Sequence, residues 1–116
     1  MSGTNLRRGS VVLVRLDPIE GHEQAGVRPA VVVSDPSRAS KARFPLIAVV
    51  PVTRTAVPGP WSIRVAAGTG GLRADSSVLV DQVRSIDVGR ILRVYDVVPS
   101  EPLGRIDAGS RDFLAL

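Results

Sequence analysis

The run GHEQAGVRPAVVVSD, from Gly21 to Asp35, gathers more groups able to act on a substrate than any other stretch of the chain. Polar Glu23 and Gln24 are followed by small Ala25 and Gly26, then by Val27-Arg28-Pro29 and a valine run. Proline disfavours helical backbone in the residue before it, so Arg28 is extended and anchored where a loop enters a strand. A guanidinium held on a rigid element presents a planar fork of donors in a fixed pose, matched to phosphate oxygens. The plain alternative is a strand-end arginine that satisfies carbonyls or pairs with Glu23. His22 is the only histidine. It is either a surface residue or a titrating group beside a bound nucleic acid, because imidazole changes charge near neutral pH.

Other chemistries find little to work with. The chain has no cysteine, which removes disulfides, thiolate metal sites and cysteine nucleophiles together. One histidine and scattered carboxylates form no recognisable metal-ligand set, and no Ser-His-Asp arrangement can be built convincingly on a lone loop histidine. No metal and no cofactor are expected. Gly68-Thr69-Gly70-Gly71 could suggest a phosphate cradle, but such loops open a helix whose amides supply the donors. Here the glycines lead through Leu72 and Arg73 to a strand, so the loop reads as a turn.

The net charge is +4, and fourteen of the fifteen basic residues are arginine, with Lys41 the only lysine. Arginine-rich basic proteins suit nucleic acid, although a G+C-rich genome enriches arginine regardless of function. Between Asp35 and Phe44 stand Arg38, Lys41 and Arg43 with no further acid, and Arg54 follows a later strand. These four either track phosphates or decorate solvated loops. No apolar run reaches the ~20 residues of a membrane span. The opening MSGTNLRRG lacks the apolar stretch of a signal peptide, so a cytoplasmic protein without membrane attachment is expected.

The elements that must position these residues are short. The 116 residues read as one domain, 1–116. Hydrophobic residues make up 44% but aromatics only 3%, so valine, leucine and isoleucine must fill the core, which favours strands. Apolar runs at Val11–Leu16, Ala30–Ser34, Leu46–Thr53, Trp61–Val65, Val78–Val83 and Ile91–Val98 are separated by turn residues. Several such runs predict a small barrel or sandwich. Pro51 lies inside the third and requires an edge, a bulge or a strand end. From Ser100 the pattern changes: Ser100 can cap a helix begun by Glu101 and Pro102, and Leu103, Ile106, Phe113 and Leu114 recur near helical spacing. A short C-terminal helix packed on the sheet is expected.

Taken in order, three blocks resemble the MazF/PemK toxins: RRGSVVLVRLDPIEGHEQAGVRPAVVVSD from Arg7 to Asp35, VVPVT from Val49 to Thr53, and DSSVLVDQVRSID from Asp75 to Asp87. The E-Q-x-G-x-R-P string is the most specific of these. The resemblance implies a mainly β (α+β) fold, an SH3-like small β-barrel with a C-terminal helix, assembled as a homodimer. It implies sequence-selective cleavage of single-stranded RNA and a cognate antitoxin whose acidic, flexible segment occupies the RNA groove. Arg28 and Thr53 fall on the family's catalytic arginine and threonine, and Glu23, Gln24 and Gln82 on positions associated with its binding groove. This chain departs from the family at His22, where Ser or Thr is usual, and at Arg54-Thr55, where uncharged residues are commoner. Thr55 is a rival for the hydroxyl role.

RNA supplies its own nucleophile. In-line attack of a 2′-OH on the adjacent phosphorus leaves a 2′,3′-cyclic phosphate and a 5′-OH end, so the protein must align the attack and stabilise charge on the phosphoryl oxygens. Arg28 suits that charge, and Thr53 can donate one hydrogen bond from a side chain stiffened by β-branching. No general base follows from the residues; His22 and Glu23 are the candidates. Two rival readings share the barrel: a toxin that inhibits DNA gyrase by contact, and a weakly active module that binds RNA or antitoxin.

Overall fold

The computed structural model describes residues 6–16, 26–39, 43 and 45–116. His22, Glu23, Gln24 and Lys41 lie outside the described residues. Seven strands follow the chain: β1 (Ser10–Leu16), β2 (Gly26–Val32), β3 (Leu46–Thr53), β4 (Ser62–Val65), β5 (Ser76–Leu79), β6 (Arg84–Asp87) and β7 (Ile91–Val97). A four-residue helix, α1 (Pro36–Ala39), precedes β3, and α2 (Ser100–Leu114) follows β7. Neighbouring strands run in the order β4-β5-β3-β2-β1-β7, all antiparallel, with β6 also paired to β3. The expected mainly β fold with a C-terminal helix is present. The sheet is not closed by a ladder between β4 and β7, so the barrel is an open one.

Both faces of the sheet are buried, which is why its central strands read as continuous apolar runs rather than alternating ones. Val12, Val14, Ala30, Val32, Ile47, Val49 and Ile86 pack on one face. Val11, Val31, Val50, Val52, Val78 and Val80 pack on the other, around Ile106 of α2. Among the described residues, twelve of the nineteen buried hydrophobic ones are valine, so the near absence of aromatics leaves no gap to explain. Full burial of Ile106 fixes α2 on the sheet. Gly109 lets the helix approach β4 closely, since a Cβ there would stand 3.0 Å from Ile63 Cδ1. Polar clamps hold the rest: Arg8 pairs with Asp107 at 2.6 Å, Trp61 Nε1 donates to Asp112 at 2.8 Å, and Arg105 donates to the Arg64 carbonyl at 2.8 Å. At 15 residues α2 is too short to cross a membrane, and no described helix is long and apolar enough to do so.

Two prolines set the shape of the sheet. The Val33 amide donates to the Ala48 carbonyl at 2.9 Å. Hydrogen bonding alternates along an antiparallel pair, so Val31 and then Pro29 would be the next donors toward β3. Pro29 has no N–H, and the β2–β3 pairing ends at Ala30↔Pro51. By the same alternation, Pro51 turns its nitrogen away from β2, toward the side where β3 changes partner. There β3 pairs with β6 up to Val49↔Arg84 and with β5 from Val52↔Val78. Between those two pairs β3 advances three residues and its partner six, so three extra residues bulge out between β5 and β6. They form the 3-10 turn Val80–Gln82, opposite Pro51. The bulge predicted as one answer to Pro51 is thus found, and it also splits the expected Val78–Val83 strand in two.

Other boundaries differ from expectation. β2 begins at Gly26 rather than Ala30, because Val27 to Pro29 pair with β1 even though they lack the apolar run. Ser100 is the first residue of α2, not its cap; Pro99 occupies the cap position without a side-chain hydrogen bond. Gly68–Gly71 is a turn, as read, with Gly70 buried at φ +57° against Val11, where no side chain fits.

Candidate active site

Arg28 is three residues into β2, paired with Val14 of β1. It therefore stands within a strand rather than at a loop junction, which holds its backbone more firmly than the sequence implied. Thr53 ends β3 and pairs with Ser77 of β5. Arg28 and Thr53 each lie two residues beyond the last β2–β3 pair, Ala30↔Pro51. No ladder joins them, because Pro29 has interrupted it. A groove of about 510 Å3 opens at this break, and Val27, Arg28, Pro29, Val52, Thr53 and Arg54 all line it.

Thr53 is buried to 8% exposure, and its Oγ1 accepts a hydrogen bond from the Thr55 amide at 3.2 Å. A hydroxyl that accepts one bond still has its hydrogen to give, so the donor is held in place and remains available. Next to it, fully buried Ser77 accepts from Arg64 Nη1 at 3.1 Å and from the Val57 amide at 3.4 Å, which ties down the segment after β3. Thr55 also lines the groove, but on the bend after the strand, so the sheet fixes Thr53 more directly.

Three cations, Arg28, Arg54 and Arg73, border the groove, and no carboxylate does among the described residues. Its floor is apolar, with Val11, Leu13, Val52 and Leu72. A cleft of one sign over a low-dielectric floor concentrates a polyanion. Arg73 and Tyr95 went unnoticed as candidates. Tyr95 reaches the groove because β7 lies beside β1, a neighbourhood no local pattern reveals.

The remaining candidates lie elsewhere. Arg38 is exposed on α1, whose first turn is held by Asp35: the Ser37 hydroxyl and amide donate to Oδ1 at 2.7 and 3.0 Å. Those two bonds, the hydroxyl's first, hold the Asp35 carboxyl below its usual range. Arg43 is exposed three residues before β3. Both are at the far end of β3 from Thr53, roughly 20 Å along an eight-residue strand. Gln82 is half-buried in the turn opposite Pro51 and does not line the groove. No cluster of three or more potential metal ligands occurs among the described residues.

A basic groove lined by a fixed hydroxyl and by guanidinium groups defines a domain suited to phosphodiester substrates. The model of the family described as PemK-like, MazF-like toxin of type II toxin-antitoxin system matches residues 7–114. The chain is 40% identical over 106 residues to endoribonuclease MazF9 of Mycobacterium tuberculosis, covering 88% of this chain and 90% of that protein. It superposes on the crystal structure of MazF from Deinococcus radiodurans with a TM-score of 0.78 at 28% identity, over 96% of this chain and 97% of the other. A MazE–MazF structure from the same organism gives a TM-score of 0.75 at 27% identity, over 97% of each chain. This chain belongs to the PemK/MazF toxin family.

Proposed function

We propose that this protein, read as a single domain over 1–116, is an endoribonuclease toxin that cuts single-stranded RNA without a metal, with Arg28 and Thr53 as its catalytic pair. One observation supports the assignment: both residues line the cationic groove that opens where the β2–β3 ladder ends. RNA lying in that groove places a phosphate between them. The 2′-OH attacks the adjacent phosphorus, the 5′ oxygen of the next nucleotide leaves, and the cyclic phosphate remains. Arg28 stabilises charge on the non-bridging oxygens, and the Thr53 hydroxyl donates to one of them. His22, Glu23, Gln24 and Gln82 are proposed to contact the RNA, with His22 or Glu23 taking the 2′ proton. Arg54 grips a phosphate at the groove, and Arg38, Lys41 and Arg43 guide more distant ones.

The named activity of the Mycobacterium relative supports cleavage, and the MazE-bound Deinococcus relative supports a cognate antitoxin. An acidic flexible segment of that partner matches the charge of the groove and would exclude RNA from it. The working form is proposed to be a cytoplasmic homodimer. The test is to incubate purified protein with total RNA in excess EDTA and map fresh 5′-hydroxyl ends. Recurrent ends at one short sequence are expected. Intact RNA at enzyme-excess concentrations, with a folded protein, would refute the reading.

A further inference from the structure

The groove does not stop at the catalytic pair. Gly71 and Tyr95 line both it and a second, shallower groove over β7, which continues past Arg93, Val94, Asp96, Val97 and Arg7, two arginines and one carboxylate. Tyr95 therefore stands at the junction, on an edge strand that pairs only β1 among the described residues. Tyr95 is 37% exposed, and the Arg93 guanidinium carbon lies over one face of its ring, 5.5 Å from the centroid, which leaves the other face for a base. Gly71, at φ +89°, lies alongside: a Cβ there would stand 3.5 Å from the Tyr95 Cβ. Arg73 borders the first groove.

An exposed aromatic ring flanked by arginines, between two joined grooves, has the makings of a stacking platform for an unpaired base. Every base has a π face, and guanidinium groups beside the ring grip the flanking phosphates. We infer that Tyr95 stacks one nucleobase next to the scissile linkage, with Arg73 and Arg93 holding the phosphates on either side, so that the RNA leaves the catalytic pair across β7. Tyr95 thus binds and positions; it does not touch the reacting atoms. The inference rests on the endoribonuclease reading and extends it by giving the bound strand a direction.

The test uses the full-length protein and an RNA containing a site that the wild type cuts. A single 2′-deoxy substitution at the cleaved nucleotide makes the binding probe inert. Each nucleotide around the linkage is then replaced in turn by an abasic one. In the wild type, one abasic position is expected to raise Kd about 5- to 150-fold, the range for a lost base–aromatic stack. Tyr95→Ala is expected to raise Kd for intact RNA similarly, and to erase the penalty at that one position. Tyr95→Phe, which keeps the ring, is expected to keep wild-type binding and the wild-type abasic penalty. If Tyr95→Ala leaves Kd unchanged, or the abasic penalty persists in it, the platform is refuted. So it is if Tyr95→Ala shifts the protein to a smaller species on a sizing column, because Tyr95 would then be an assembly contact. A wild type that cuts no RNA removes the underlying reading as well, a result distinct from an active enzyme indifferent to Tyr95.

Discussion

Removing either member of the proposed pair has a calculable effect. Arg28 is exposed on β2, so Arg28→Ala leaves no cavity, and its stability effect is that of a surface contact, about 1 kcal/mol or less. Its kinetic effect is far larger: losing one donor to a developing oxyanion costs about 10²–10³ in rate, roughly 3–4 kcal/mol. Thr53→Ala differs, because Thr53 is buried and receives the Thr55 amide. One lost hydrogen bond at about 1 kcal/mol and one lost methyl at about 0.8 kcal/mol predict a destabilisation of nearly 2 kcal/mol. The protein remains folded at 25 °C, so single-turnover cleavage of an end-labelled RNA, with enzyme in excess, isolates chemistry from stability. Thr53→Ser restores the donor and is expected within about tenfold of wild type, while Arg28→Lys keeps the charge without the fork and falls between wild type and Arg28→Ala. The double alanine variant is expected to lose less than the product of the single losses, because both groups serve one phosphate. A folded Arg28→Ala protein that cleaves at the wild-type rate would refute the reasoning.

Further outcomes follow from the same geometry. For a short RNA confined to the groove, Arg54→Ala should reduce the slope of log K against log salt by about 0.7, and Arg38→Ala and Arg43→Ala should not change it; titrations at several salt concentrations decide. Ile106→Ala, at the fully buried contact of α2 with the sheet, should cost about 2–5 kcal/mol in denaturant melts. Gly70→Ala places a methyl against Val11 in left-handed backbone, and a loss of at least about 1 kcal/mol is expected in the same melts. Arg8 lowers the Asp107 pKa, chiefly by hydrogen bonding, so their pair stabilises the fold above the ordinary carboxylate range and ceases to as pH falls through the folded value. Arg8→Ala should therefore cost about 0.2–1 kcal/mol at neutral pH and close to nothing in strong acid, as a pH series of melts would show.

Much of the strand layout could be read from the chain because burial on both faces leaves unbroken apolar runs. β3 was bounded correctly for that reason. The errors share a cause. Gly26 to Pro29 belong to a strand because β1 lies beside them, and Val80–Gln82 leave the ladder because β3 has Pro51 there. Both are tertiary facts. The groove was legible where a motif marks it, since Arg28 and Thr53 both line it. Arg73 and Tyr95 carry no motif and come together only when β7 crosses beside β1. Arg38 and Arg43 looked comparable to Arg54 in sequence, yet the length of β3 separates them from the groove.

The valines beneath the groove have a last consequence. A β-branched side chain in a strand has few rotamers to choose from, and Val11 and Val52 are packed in the core as well. Such a bed cannot remould itself around a guest. A strand of unsuitable contour is turned away instead of being accommodated, so discrimination is set by fixed relief before any bond is strained.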